Sequence, residues 1–90
     1  MPHVRFTRHL NAFFPTLAEG EVPGSTVREV LEALERRHPG LRSYICDENG
    51  RLRTHVNVFV GEEPVRDRMG LSDRLDPEAK VFILQALSGG

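Results

Sequence analysis

The segment from Thr26 to Leu34 restricts the fold of this chain more than any other. Thr26 and Glu29 form a T-x-x-E capping box, in which each side chain satisfies a backbone N–H that the first helical turn leaves without a partner. Val27, Val30, Leu31 and Leu34 then recur at i, i+3, i+4 and i+7, which makes a single apolar stripe. Glu29, Glu32, Arg36 and Arg37 fall off that stripe, and Glu32 precedes Arg36 by the four residues that suit an ion pair on a helix. Pro39 and Gly40 stop the helix near Arg37–His38. A helix with one apolar stripe must bury it against a second layer, and the remaining segments read as strands.

His3-Val4-Arg5-Phe6-Thr7-Arg8 alternates polar and apolar residues, so it is expected to be a strand with Val4 and Phe6 facing inward. A short second strand is placed somewhere in 16–22, before the Pro23-Gly24 turn. Asn49-Gly50, within the segment 41–53, is a turn signal that can close a small hairpin. His55-Val56-Asn57-Val58-Phe59-Val60 is a strand, and Gly61-Glu62-Glu63-Pro64 turns the chain back to Val65-Arg66. Residues 70–75 are expected to hold a short helical turn started by Ser72 and Asp73. Asp76-Pro77-Glu78 is a turn, and Lys80–Gln85 is the last strand. The order ββα, ββ, β predicts an α+β domain over residues 1–86, with one main helix across a mixed sheet, followed by a flexible tail at 87–90.

Ninety residues suffice for one domain, with a core too small to enclose a large ligand. Its apolar and charged fractions, 39% and 28%, are those of an ordinary globule and not of a disordered chain. No apolar run approaches a membrane span, and no secretory h-region opens the chain. A single cysteine, Cys46, allows no internal disulfide and suits a reducing, cytoplasmic setting. The net charge of −1, with both signs interspersed, argues against nucleic acid as a main partner.

The chain shows no constellation of catalytic residues. Cys46 has no Cys-x-x-Cys or Cys/His spacing and reads as a small buried hydrophobe. His3, His9, His38 and His55 lack metal-ligand spacing, and His38 has a structural reason as a cation at a helix C-terminus. Glu62-Glu63 and Asp76/Glu78 read as solvated turn residues. Arg51 and Arg53 read as a solvated face, with docking of an acidic partner as the alternative. The chain is therefore not expected to be an enzyme itself.

The end of the sequence points elsewhere. Gly89-Gly90 follows the apolar run Val81-Phe82-Ile83-Leu84, and a double glycine can thread a channel that would exclude a Cβ. Together with the stretch from Thr26 to Leu41, Asp47-Glu48-Asn49-Gly50-Arg51-Leu52-Arg53 and Val56-Asn57-Val58-Phe59-Val60, this ending resembles the MoaD/ThiS family. Those are ubiquitin-like sulfur carriers of β-grasp fold. The chain departs from the family's frequent Pro-Ala-Val-Ala-Gly-Gly ending, having Gln85-Ala86-Leu87-Ser88-Gly89-Gly90 instead. The resemblance implies that Gly90 carries the sulfur, with Gly89, Ser88 and Leu87 as its tail. By the same resemblance, a ubiquitin-activating-type enzyme using ATP and Mg²⁺ is expected to adenylate the Gly90 carboxylate. Sulfur from a persulfide or sulfide is then expected to displace AMP, leaving a thiocarboxylate that passes sulfur to an acceptor synthase. The carrier itself binds no cofactor. Relatives serve molybdopterin, thiamin, cysteine, tRNA thiolation or specialised metabolites, and the sequence does not choose among them.

A carrier also needs a face for its partners. Val56, Val58 and Val60 point to one side of their strand and Asn57 and Phe59 to the other. Val81 and Ile83 oppose Phe82 and Leu84 in the same way. If the helix covers the valine side, then Phe59, Phe82 and Leu84 form a partner-binding patch. The alternative is that segment 10–24 or 41–53 folds over them as a second small core. Two rival functions share the same ending: a protein modifier joined to lysines through Gly90, and a β-grasp interaction module without tail chemistry. The charged helix face favours a monomer.

Overall fold

The structure, a computed structural model, describes residues 1–85. The N-terminal alternation becomes β1 (His3–Phe6), with Val4 buried and Arg5 exposed on the other side. Strand β2 (Gly20–Glu21) lies within the expected window and pairs antiparallel to β1. Helix α1 (Val27–Arg37) follows, and then a short helix α2 (Leu41–Ile45). Strands β3 (Val56–Val60), β4 (Glu63–Pro64) and β5 (Lys80–Gln85) complete a five-stranded sheet in the order β2-β1-β5-β3-β4. Strand β5 sits at the centre, parallel to β1 and antiparallel to β3.

Helix α1 begins where the capping box predicts. The Glu29 N–H donates to Thr26 Oγ1 at 3.2 Å, whereas the Glu29 carboxylate reaches the Ser25 N–H, one residue earlier than a capping box requires. The Val27 and Arg28 amides, otherwise orphaned, donate to the carbonyls of Asp73 and Leu71. The approach to the helix is tight at Gly24. It has φ +155°, and a Cβ there would lie 2.8 Å from both Val30 Cγ2 and the Val30 nitrogen.

Val27, Val30, Leu31, Ala33 and Leu34 bury the helix stripe against one face of the sheet, where Val4, Val56, Val58, Val81 and Ile83 are all at most 1% exposed. Val60 and Phe6 pack half-buried at the edge of this core. The connecting segments enlarge the same core: Leu10, Leu17 and Val22 enter it from one, and Leu41, Ile45, Cys46 and Leu52 from the other.

Three local expectations are corrected. Strand β1 ends at Phe6, because Arg8–Ala12 forms a 3-10 helix. The segment 41–53 contains α2, which leaves α1 through Gly40 in the left-handed region (φ 98°) and is tied back by Glu35, whose carboxylate accepts the Gly40 and Arg42 amides. Its expected hairpin around Asn49-Gly50 survives as one bridge between Cys46 and Leu52. Residues 71–75 are not helical. Ser72 and Asp73 do not start a helix because their polar groups are engaged otherwise: Ser72 donates to the Asp67 carboxylate, and Asp73 accepts the Arg66 and Asp67 amides. The buried Leu71 takes φ 55° as the chain turns there toward α1.

Candidate functional site

Alternation along β5 divides its side chains between two faces. Val81 and Ile83 enter the core, and Phe82 and Leu84 stand half-buried on the opposite face. Register then assembles the open face. Phe82 lies directly beside Phe59 of β3 on one side and Arg5 of β1 on the other. The Arg5 guanidinium carbon is 5.3 Å from the Phe82 ring centroid, a cation–π distance. Leu84 is opposite Asn57, and Pro64 of β4 is opposite Phe59. Phe59, Phe82 and Leu84 are thus brought together, and neither 10–24 nor 41–53 forms a second core over them, since their buried residues join the helix-side core.

The far end of β5 is pinned just before the tail. The Thr7 hydroxyl donates to the Ile83 carbonyl at 3.3 Å and accepts the Gln85 N–H at 2.8 Å, while the Thr7 N–H bonds the same carbonyl at 3.1 Å. Arg68, from the loop after β4, reaches the neighbouring strand. Its guanidinium donates to Asn57 Oδ1 at 3.2 Å and to the Val56 and Arg53 carbonyls at 2.8 Å each. Val56 is paired with Gln85, so Arg68 acts beside the root of the tail. The expected tail residues, Leu87, Ser88, Gly89 and Gly90, lie outside the described residues.

At the other edge, Glu19 accepts from His3 Nε2 at 2.8 Å and approaches Arg5 Nε at 4.0 Å. The His3 hydrogen bond holds the Glu19 carboxyl below its ordinary range. Burial raises the Cys46 thiol, which is 2% exposed, in keeping with a packing role. Among the described residues no group of His, Cys, Asp and Glu could hold a metal ion. No helix there is long and apolar enough to cross a membrane.

The ThiS family model matches residues 9–90. The chain belongs to the ThiS family. It is 33% identical over 69 residues to the sulfur carrier protein CysO of Mycobacterium tuberculosis, covering 74% of either chain. It is 32% identical over 66 residues to small archaeal modifier protein 3 of Haloferax volcanii, covering 73% of this chain and 71% of that one. The crystal structure of the Amycolatopsis orientalis BexX/CysO complex contains a chain that superposes with a TM-score of 0.85 at 29% identity, over the whole of both chains. The crystal structure of M. tuberculosis CysO gives 0.82 at 26% identity, over 97% of this chain and all of that one. The fold is the ubiquitin-like β-grasp that the resemblance implied.

Within this ThiS-family chain, sequence reasoning found the aromatic face but missed Arg5, Thr7 and Arg68. Arg5 was legible, since it alternates out of phase with Val4 and Phe6. Thr7 and Arg68 act through contacts 78 and 11–15 residues away, which no local pattern encodes.

Proposed function

We propose that this chain is a sulfur carrier whose C-terminal Gly90 is converted to a thiocarboxylate for use in biosynthesis. The observation that carries this reading is the family match running through residue 90, together with the likeness to proteins named as sulfur carriers. An α-carboxyl group, ordinarily with a pKa of about 3.3–3.7, is an anion at neutral pH and a poor electrophile. An oxygen of the Gly90 carboxylate attacks the α-phosphorus of ATP held by an activating enzyme with Mg²⁺, and pyrophosphate leaves. Hydrosulfide then attacks the acyl carbon, the bond to AMP breaks, and a thiocarboxylate remains. With a persulfide donor, a thiol must afterwards cleave the S–S bond, and it leaves as a disulfide. The thiocarboxylate is the soft nucleophile that an acceptor synthase consumes. The globule serves as the handle, held through Phe59, Phe82 and Leu84, while its partners perform the catalysis.

The test is intact-protein mass spectrometry after incubation with ATP, Mg²⁺, sulfide and a ubiquitin-activating-type enzyme from the same organism. The expected product is about 16 Da heavier, sulfur having replaced oxygen, and is absent when Gly90 is deleted. An unchanged mass with every such enzyme would refute the carrier reading. Likeness to small archaeal modifier protein 3 favours a second use of the same activated acyl group, amide formation with lysines of other proteins. Conjugates in cell extracts that disappear on deletion of Gly89-Gly90 would establish it.

A further inference from the structure

Basic side chains gather at one end of β5. Beside the tail root, a groove of about 630 Å³ is lined by Arg51, Arg53, His55 and Arg68, with Asp47 as the acidic residue in its wall. Asp47 is already engaged, 3.6 Å from Arg51 and accepting the Asn49 and Arg51 amides. Arg53 and Arg68 are held by neutral acceptors instead. The Arg53 guanidinium donates twice to the Ser43 carbonyl, at 3.0 and 3.2 Å, and Arg68 donates to two carbonyls and an amide. Both cations are therefore fixed in place without a carboxylate partner among the described residues. The opposite end of β5 is mixed in charge: Glu62, Glu63, Asp76 and Glu78 are exposed near Lys80, and Arg66 and Arg74 line a pocket with Glu63.

We propose that this groove docks a carboxylate-rich surface on the partner protein that takes up the tail. The proposal rests on the carrier reading for the identity of that partner. A carboxylate rim approaching tail-first meets Arg53 and Arg68 already oriented by their hydrogen bonds. The arrangement therefore selects orientation and speeds encounter more than it adds affinity.

Two measurements decide it. In amide NMR, a glutamate-rich peptide titrated into the full chain should shift residues 51–56 and 68, with the shifts lost near 0.3 M salt, where screening is short-ranged, roughly 6 Å. Shifts that are absent, or that fall equally on 61–63 and 76–78, overturn the proposal. Tighter binding of a single-stranded oligonucleotide than of the peptide also overturns it, in favour of a nucleic-acid surface. In adenylation kinetics, the double variant Arg51→Gln/Arg53→Gln should raise KM about 3- to 10-fold at low salt and flatten its salt dependence, and Arg51→Lys/Arg53→Lys should restore both. A wild-type KM indifferent to salt refutes the docking role. Failure of the wild-type chain to be adenylated at all refutes the carrier reading, and the peptide titration still decides the groove.

Discussion

Phe82 and Ile83 are consecutive residues of the central strand on opposite faces, and truncating each to alanine should give opposite phenotypes. Ile83 is fully buried, so Ile83→Ala removes its transfer free energy and leaves a cavity, at a cost of about 3–4 kcal/mol. A domain of this size is stable by roughly 5–13 kcal/mol, and each kcal/mol moves Tm by about 4–8 °C. Ile83→Ala should therefore lower Tm by roughly 15–30 °C while leaving the KM for adenylation near wild type at temperatures where it is folded. Phe82 is half-buried, lies under the Arg5 guanidinium and is the register partner of Phe59 on the open face. Phe82→Ala should lose about half of what a fully buried phenylalanine loses, ~1.5–2 kcal/mol, with a Tm change of roughly 6–15 °C. If Phe82 is a docking anchor worth about 2 kcal/mol, KM should rise roughly 30-fold. Differential scanning calorimetry and single-turnover adenylation measure the two quantities. Phe82→Ala with a wild-type KM refutes the docking face. A fall in Tm equal to that of Ile83→Ala would instead place Phe82 in a second core.

The close approach at Gly24 makes Gly24→Ala costly, about 2–3 kcal/mol by thermal melting, because the new Cβ would press on Val30. Gly20→Ala, which meets nothing within 4 Å, should leave stability unchanged or slightly raised, and equal losses at both sites would refute the steric argument. Thr7→Val removes the acceptor of the Gln85 N–H, so that amide should exchange about fivefold faster with solvent, and unchanged protection would show that the Thr7 hydroxyl does not hold the strand end. Asp67 is held down to about 2, first by the Ser72 hydroxyl and then by the Gly70 and Ser72 amides. A depressed carboxyl contributes stability that is complete above its unfolded value near 3.8 and lost as pH falls toward 2. Asp67→Asn should therefore flatten the acid-side stability curve between those values, and a curve identical to wild type would remove Asp67 as its source.

Repeating local patterns made much of this domain readable in one dimension. The α1 stripe, the Thr26 cap, the alternation of β3 and β5 and the Asp76-Pro77 turn are encoded by neighbours a few residues apart, so the α+β order and the two-faced central strand followed from the chain alone. Helix α2 and the 3-10 helix are five residues each, too short to display a period, and they form where Gly40, Glu35 and Asn11 bend the backbone onto the core. Helical signals at Ser72 and Asp73 were overruled because Asp67 and the first turn of α1 compete for the same groups.

The candidate site divides along the same line. Residue types and alternation named Phe59, Phe82 and Leu84, since side chains two apart on a strand must share a face. Only strand pairing could bring Arg5 over Phe82 and Thr7 to Gln85, and only the hydrogen bonds of Arg68 to the Arg53 and Val56 carbonyls gather Arg53 and Arg68 at the root of the tail, for those residues are distant in sequence. Which side of the sheet stayed open was likewise a tertiary outcome. It was decided when both long connections spent their apolar residues on the helix side, where burial against α1 removes more surface from water than a second thin layer could.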